Sequence, residues 1–160
     1  MTLKSIQSLL LILSLFGFVP AVFADDCYDL VFKARDYKNG VPVCLAAAEA
    51  GDKKVQSYLG VMYDTGKGVS QDQKQAVHWF TKAAEQGLAD AQNNLGVIYI
   101  WNGNGVIKDT VEAYAWFNVA AAQGNKNARI NQQKIEKIMT PSQLEKGQEL
   151  SKEYYEKYVK

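Results

Sequence analysis

The sequence predicts an all-α fold, an α-solenoid of antiparallel helix pairs about four hairpins long when its caps are included. Two observations carry this. The chain matches itself when slid by 36 or 37 residues, and each matching unit holds two stretches of helical apolar spacing divided by a glycine. Residues 66–91 laid on 103–128 give twelve identities in 26 positions, and residues 36–63 laid on 72–99 give twelve in 28. A repeat of this length marks stacked supersecondary units, none of which can bury its apolar face alone.

The chain opens with Lys4, an apolar run from Leu9 to Val19, then Pro20 and Ala21-Val22-Phe23-Ala24. This is the layout of a secretory signal peptide over residues 1–24. The apolar run is about half the roughly 20 residues a membrane span requires. Asp25 and Asp26 stand before Cys27, where a lipid anchor needs small residues. The expected product is therefore periplasmic or secreted, with no membrane insertion after cleavage. Removing residues 1–24 takes away Lys4 alone among the charges, which leaves 17 basic and 17 acidic residues. Nucleic-acid binders carry a basic excess, so none is expected here. The remaining residues 25–160 suffice for one domain with one ordinary core.

The first unit, approximately 27–63, is degraded. Asn39-Gly40 and Pro42 occupy positions that are Gln75-Ala76 and His78 in the second. Proline inside a helix costs about 3 kcal/mol, so the first helix either starts near Pro42 or kinks there. Cys27 and Cys44 both fall in this unit, and an oxidising compartment makes a disulfide the default. If Asp36 is the turn, antiparallel segments bring the two cysteines to similar height. If the helix begins at Pro42, the match is poorer. A redox pair would show C-x-x-C spacing, which is absent.

The second unit, 64–100, is the clearest. Ala76, Trp79, Phe80, Ala83 and Ala84 follow the i, i+3, i+4, i+7, i+8 spacing of one apolar stripe. Gly87 ends that helix, because glycine readily takes positive φ, and Asp72 is placed to cap its start. Ala91, Leu95 and Tyr99 mark the second helix. Gly60 and Gly96 lie inside such second helices, where a missing side chain lets a neighbour approach closely. The third unit, 101–138, repeats the pattern through Ala128 and then continues as a polar-faced helix. A last helix over 140–159 opens with "TPSQ", a hydroxyl N-cap, proline at the first position and glutamine at the third. Solenoids need such atypical ends to cover the last apolar face, and Tyr154, Tyr155 and Tyr158 are expected to seal it.

The segments "GKGVSQDQKQAVHWFTKAAEQGLADAQNNLGVIY" and "GNGVIKDTVEAYAWFNVAAAQGNKNA" resemble the Sel1-like repeat family, which is related to the tetratricopeptide repeats. The shared pattern is a G-x-G loop, D-x-x-x-A, W-[FY]-x-x-A-A, a closing glycine, then A-Q-x-x-L-G-x-x-Y. The resemblance covers roughly residues 36 to 128, and the third unit departs after Ala128, with Arg129, Gln132 and Gln133 in place of Gln, Leu and Gly. It implies a right-handed superhelix of paired helices. It also implies an adaptor that holds another protein or peptide on a concave surface, with some exported members tied to envelope processes or host contact. A cysteine-rich branch is linked to penicillin binding, but its cysteines pair at short spacing within each repeat.

Chemistry-bearing constellations are sparse. His78 is the single histidine, whereas a metal site needs three or four ligands, so it is expected to face solvent and neither a cofactor nor a metal is expected. "GKG" and "GNG" lack the third glycine and preceding strand of a dinucleotide loop and read as turns. Trp79, Phe80, Trp116 and Phe117 read as core. For binding, the informative positions are those on second helices that the repeat does not require. With Leu59, Tyr63, Leu95 and Tyr99 buried, Tyr58 and Met62, then Asn94, Ile98 and Trp101, form a neighbouring stripe. Aromatics and Met are favoured at interface centres, while packing on the adjacent hairpin is the competing role. The functional expectation is an exported protein-interaction adaptor and no enzyme. A beta-lactam-recognising or hydrolytic periplasmic protein, or an envelope assembly or chaperone-like factor, are the alternatives.

Overall fold

The computed structural model describes residues 26–101 and 108–160; the expected leader over 1–24 lies outside them. Eight helical elements follow one another, with no strand among the described residues. They are the π-helical turn α1 (Asp29–Lys33) and the helices α2 (Tyr37–Glu49), α3 (Lys53–Thr65), α4 (Gln73–Glu85), α5 (Ala89–Ile100), α6 (Thr110–Ala122), α7 (Lys126–Glu136) and α8 (Pro141–Tyr158). Each of α2 to α7 packs on its neighbours in sequence, most extensively α3 on α4 and α5 on α6. That chain of nearest-neighbour contacts is the signature of a solenoid.

Side-chain caps fix where the helices begin. Asp52, Asp72 and Asp109 each accept two backbone N–H bonds from the first turn of α3, α4 and α6. Asn125 accepts one from Ala128 at the start of α7. Thr140 and Gln143 close the capping box of α8, with Pro141 at its first position. Gly87 takes φ +78° after α4 and Gly124 takes φ +91° after α6, conformations that cost a glycine little.

Pro42 does not begin a helix. The residue after Asp36 already starts α2, and Asp36 itself accepts from the Asn39 backbone N–H. Pro42 sits inside α2 on its exposed side, as does Lys38, the residue whose carbonyl loses its donor. With Asp36 as the turn, Cys27 and Cys44 meet as a disulfide, Cα–Cα 4.9 Å. Both cysteines are fully buried.

Three apolar clusters follow one another along the array. The first joins the disulfide to Leu59, Met62 and Trp79; the second gathers Phe80, Leu95, Ile98 and Trp116; the third gathers Tyr114, Phe117, Ala128 and Ile135. Helix glycines set the spacing between them. A Cβ on Gly60 would stand 2.5 Å from the Phe80 ring, and one on Gly96 would stand 2.6 Å from the Phe117 ring. Buried glutamines tie the turns. Gln56 Nε2 donates to the Ala48 carbonyl (3.0 Å) and Gln56 Oε1 accepts from Gln86 (2.7 Å). Gln92 repeats this with Ala84 (3.1 Å) and Gln123 (2.7 Å).

Candidate protein-binding surfaces

In a stack of this kind alternate helices line opposite faces. One layer here consists of α2, α4 and α6, the other of α3, α5 and α7. Helix α8 lies on the first layer, extensively against α6 and with a shorter contact to α4. Gly147 permits this approach, since a Cβ there would stand 2.6 Å from the Tyr114 ring. Tyr154 and Tyr158 cover Trp116 with ring centroids 4.4 and 5.8 Å away.

Polar contacts fasten the same helix. The Tyr154 hydroxyl donates to both oxygens of Glu112 (3.0 and 3.1 Å), and that of Tyr158 donates to Glu85 (3.1 Å). Burial pushes the Glu112 carboxyl up, helped by the negative charges of Asp109 and Glu153, while hydrogen bonds from Tyr154 and Trp116 pull it partly back. Burial and the adjacent Glu112 carboxylate hold the Tyr154 hydroxyl well above the usual phenol range. Between α6 and α8 a cavity of about 440 Å³ remains, lined among others by Asn118, Ser151, Lys152 and Tyr155. Asn118 Nδ2 donates to Ser151 Oγ across it at 2.8 Å.

The five residues read from the sequence as partner-binding divide into two groups. Met62 is fully buried in the first cluster, and Ile98 is 6% exposed in the second, beside Trp116. These two are removed from the surface because the stripe they occupy turns inward onto the next hairpin, where apolar side chains lose most contact with water. The other three reach the surface of the α3–α5–α7 layer. Tyr58 is half-buried with its ring 5.3 Å from Tyr28 and 5.5 Å from Phe32. Asn94 is half-buried, its Oδ1 3.5 Å from Asn93 Nδ2. Trp101, at the end of α5, is 73% exposed. His78 is exposed and meets the Trp79 ring edge-on.

A second cavity, of about 270 Å³, opens between α5 and α7 beside Trp101. Val97, Ile100, Phe117, Ile135 and Ile138 line it with Trp101, and Asn131 and Lys134 supply its polar atoms. Sequence reasoning missed Lys134 and Ile138 because they lie after Ala128, where the repeat pattern has faded, and Ile100 because it falls just past the recurring A-Q-x-x-L-G-x-x-Y positions of the second unit. The available signal was Ile130 and Ile138 recurring off the buried phase of Ile135 in a largely polar segment. Among the described residues no group of three or more His, Cys, Asp or Glu is placed to hold a metal ion. No helix among them is long and apolar enough to cross a membrane.

The Sel1 repeat family matches at residues 54–88 and again at 89–125. The chain carries two Sel1 repeats. Each matched Sel1 unit spans one of the two most extensively packed helix pairs, α3 with α4 and α5 with α6. The crystal structure of a protective antigen present in uropathogenic Escherichia coli strains, displaying an SLR fold, is similar at 42% identity and a TM-score of 0.74. A Sel1 repeat protein from Oxalobacter formigenes is similar at 35% identity and a TM-score of 0.59. The alignments cover 78% and 64% of this chain but only 27% and 42% of those two structures. No curated protein matches the chain. Sel1 repeat proteins generally mediate protein–protein interaction and are typically non-catalytic scaffolds.

Proposed function

We propose that this chain is an exported adaptor that holds another protein or peptide on the face carrying Tyr58, Asn94 and Trp101, read from the sequence as the concave one. The observation that carries the reading is their position. All three sit on the α3–α5–α7 layer at places the repeat does not require for packing, and α8 covers the opposite layer. Trp101 supports it most directly, because a tryptophan 73% exposed is the residue type enriched at binding hot spots. Export is supported by the buried Cys27–Cys44 disulfide, which persists in an oxidising compartment, and by the leader pattern over 1–24.

The test is crosslinking capture from the native envelope compartment by the wild-type chain and by a Tyr58→Ala/Asn94→Ala/Trp101→Ala triple variant. Capture of a discrete partner by the wild type, at least tenfold reduced in the folded variant, is expected. Equal capture by both would refute this face, and no discrete partner would refute the adaptor.

A further inference from the structure

The cavity between α5 and α7 has a chemical character that narrows the partner. Its walls are apolar except for Asn131 and Lys134, and Asn131 Nδ2 already donates to Asn93 Oδ1 at 3.1 Å. The rim leaves large apolar groups in water, with Trp101 73% exposed and Ile138 67% exposed. Ile130, one turn before Lys134 on the same flank of α7, is 49% exposed. Monomeric proteins seldom leave such groups together without an interaction to serve. At about 270 Å³ the cavity lies just below the range of roughly 300–1,000 Å³ found for small-molecule sites. One or two inserted side chains suit it better than a cofactor.

The charge beside it has one sign. Helix α7 and the residue after it carry Lys126, Arg129, Lys134 and Lys137 against Glu136 alone. At 3.6 residues per turn, Lys126, Ile130, Lys134, Lys137 and Ile138 share the flank that borders the cavity. All five are exposed. Glu136 projects from the other flank, where Gln132 Nε2 donates to it at 3.2 Å. Asp90, the acid of α5, stands at the opposite end of that helix and accepts from Asn125. The apolar cleft is thus bordered by a basic stripe on a chain whose formal net charge is only +1.

We infer that the α5–α7 cleft, with Trp101 and Ile138 at its mouth and Lys134 at its rim, binds an acidic partner segment that inserts one or two apolar side chains. The inference rests on the adaptor reading and names its partner chemistry. Apolar insertion supplies the affinity, and the lysines select for flanking carboxylates and against basic segments.

The test pans a random dodecapeptide display library against the folded wild-type chain and against a Trp101→Ala/Lys134→Glu variant. Both substituted side chains are exposed, and circular dichroism confirms equal folding. Expected are wild-type-selective peptides that combine an aromatic or branched apolar residue with Asp or Glu. Fluorescein-labelled copies should bind at least tenfold more weakly to the variant, and more weakly to the wild type as salt rises. Enrichment of basic or neutral peptides, recovery of the same peptides by the variant, or no enrichment overturns the inference. Concentration-dependent dimerisation abolished by Trp101→Ala also overturns it, by assigning the cleft to a second copy. The same variant is used for envelope capture. A partner captured equally by wild type and variant sinks the cleft while leaving the adaptor standing, whereas no captured partner sinks both.

Discussion

Gly96→Ala is the sharpest probe of how this array is held together. In an open helix the substitution stabilises by about 1 kcal/mol through propensity. Here the added Cβ would stand 2.6, 2.7 and 2.9 Å from three atoms of the Phe117 ring, where ordinary contact begins at 3.4 Å. The ring has to retreat by roughly 0.8 Å, the difference between 3.4 and 2.6 Å. Phe117 is fully buried in the third cluster, so its ring can retreat only by displacing packed neighbours or encroaching on the α5–α7 cavity that it lines. Overpacking a filled core costs about 1–3 kcal/mol. Set against the propensity gain, this leaves a net loss of up to about 2 kcal/mol and a fall in Tm of up to roughly 8 °C. Thermal and urea unfolding would measure both. The clash also predicts coupling: Gly96→Ala should cost less in a Phe117→Leu background, by more than about 0.5 kcal/mol. A rise in Tm on Gly96→Ala, or strict additivity with Phe117→Leu, would refute the close-approach argument.

Three further outcomes are expected. Cys44→Ala should lower stability by about 3 kcal/mol in the chain-entropy account of a loop this size, with the 17-residue separation setting that size; reductant should lower wild-type stability to a similar degree while leaving the variant unchanged in a urea titration. Asp109→Ala removes the acceptor of the Val111 and Glu112 backbone N–H groups and should cost about 1 kcal/mol, within a usual span of about 0.5–2, by thermal unfolding. Glu112 keeps its proton to higher pH folded than unfolded, so its contribution is most favourable below the unfolded value and is lost as pH rises through the raised folded one. Glu112→Gln should therefore flatten the decline of stability with rising pH above the ordinary glutamate range, and an unchanged slope in pH-dependent unfolding would contradict that reading.

The repeat was legible because each feature that builds it is local and recurs. Asp72 and Asp109 cap helices one period apart, and Trp79–Phe80 and Trp116–Phe117 return at the same helical phase. Even the role of Gly96 could be read, since a glycine that recurs inside an apolar helix implies a neighbour pressed against it. The candidate surface was less legible. Period and propensity give the angle of a side chain around its own helix but not the direction from which the next helix arrives. Met62 and Ile98 therefore looked as available as Tyr58 and Asn94, although two of the four are core. Pro42 left two readings open, a helix start or a helix that continues through it, and the second holds: its local penalty is real, yet the buried disulfide and the Asp36 cap hold α2 through it.

The end of the array follows from the same argument carried one unit further. Gln56 and Gln92 each pair with a glutamine of the next turn, Gln86 and Gln123, and so pass the stack onward. One period after Gln92 the chain has Arg129, an exposed residue of α7, and this ladder has no further rung. What succeeds it is a helix of another kind. Helix α8 uses the array's close-approach device, Gly147 against Tyr114, but lies back over α6 and reaches α4. It covers α6 and part of α4 with Tyr154 and Tyr158 while making no extensive contact with α7. The fading of the repeat after Ala128 thus has two consequences at once: the stack stops extending, and the basic, isoleucine-bearing flank of α7 remains beside Trp101 as the surface that the cap does not reach.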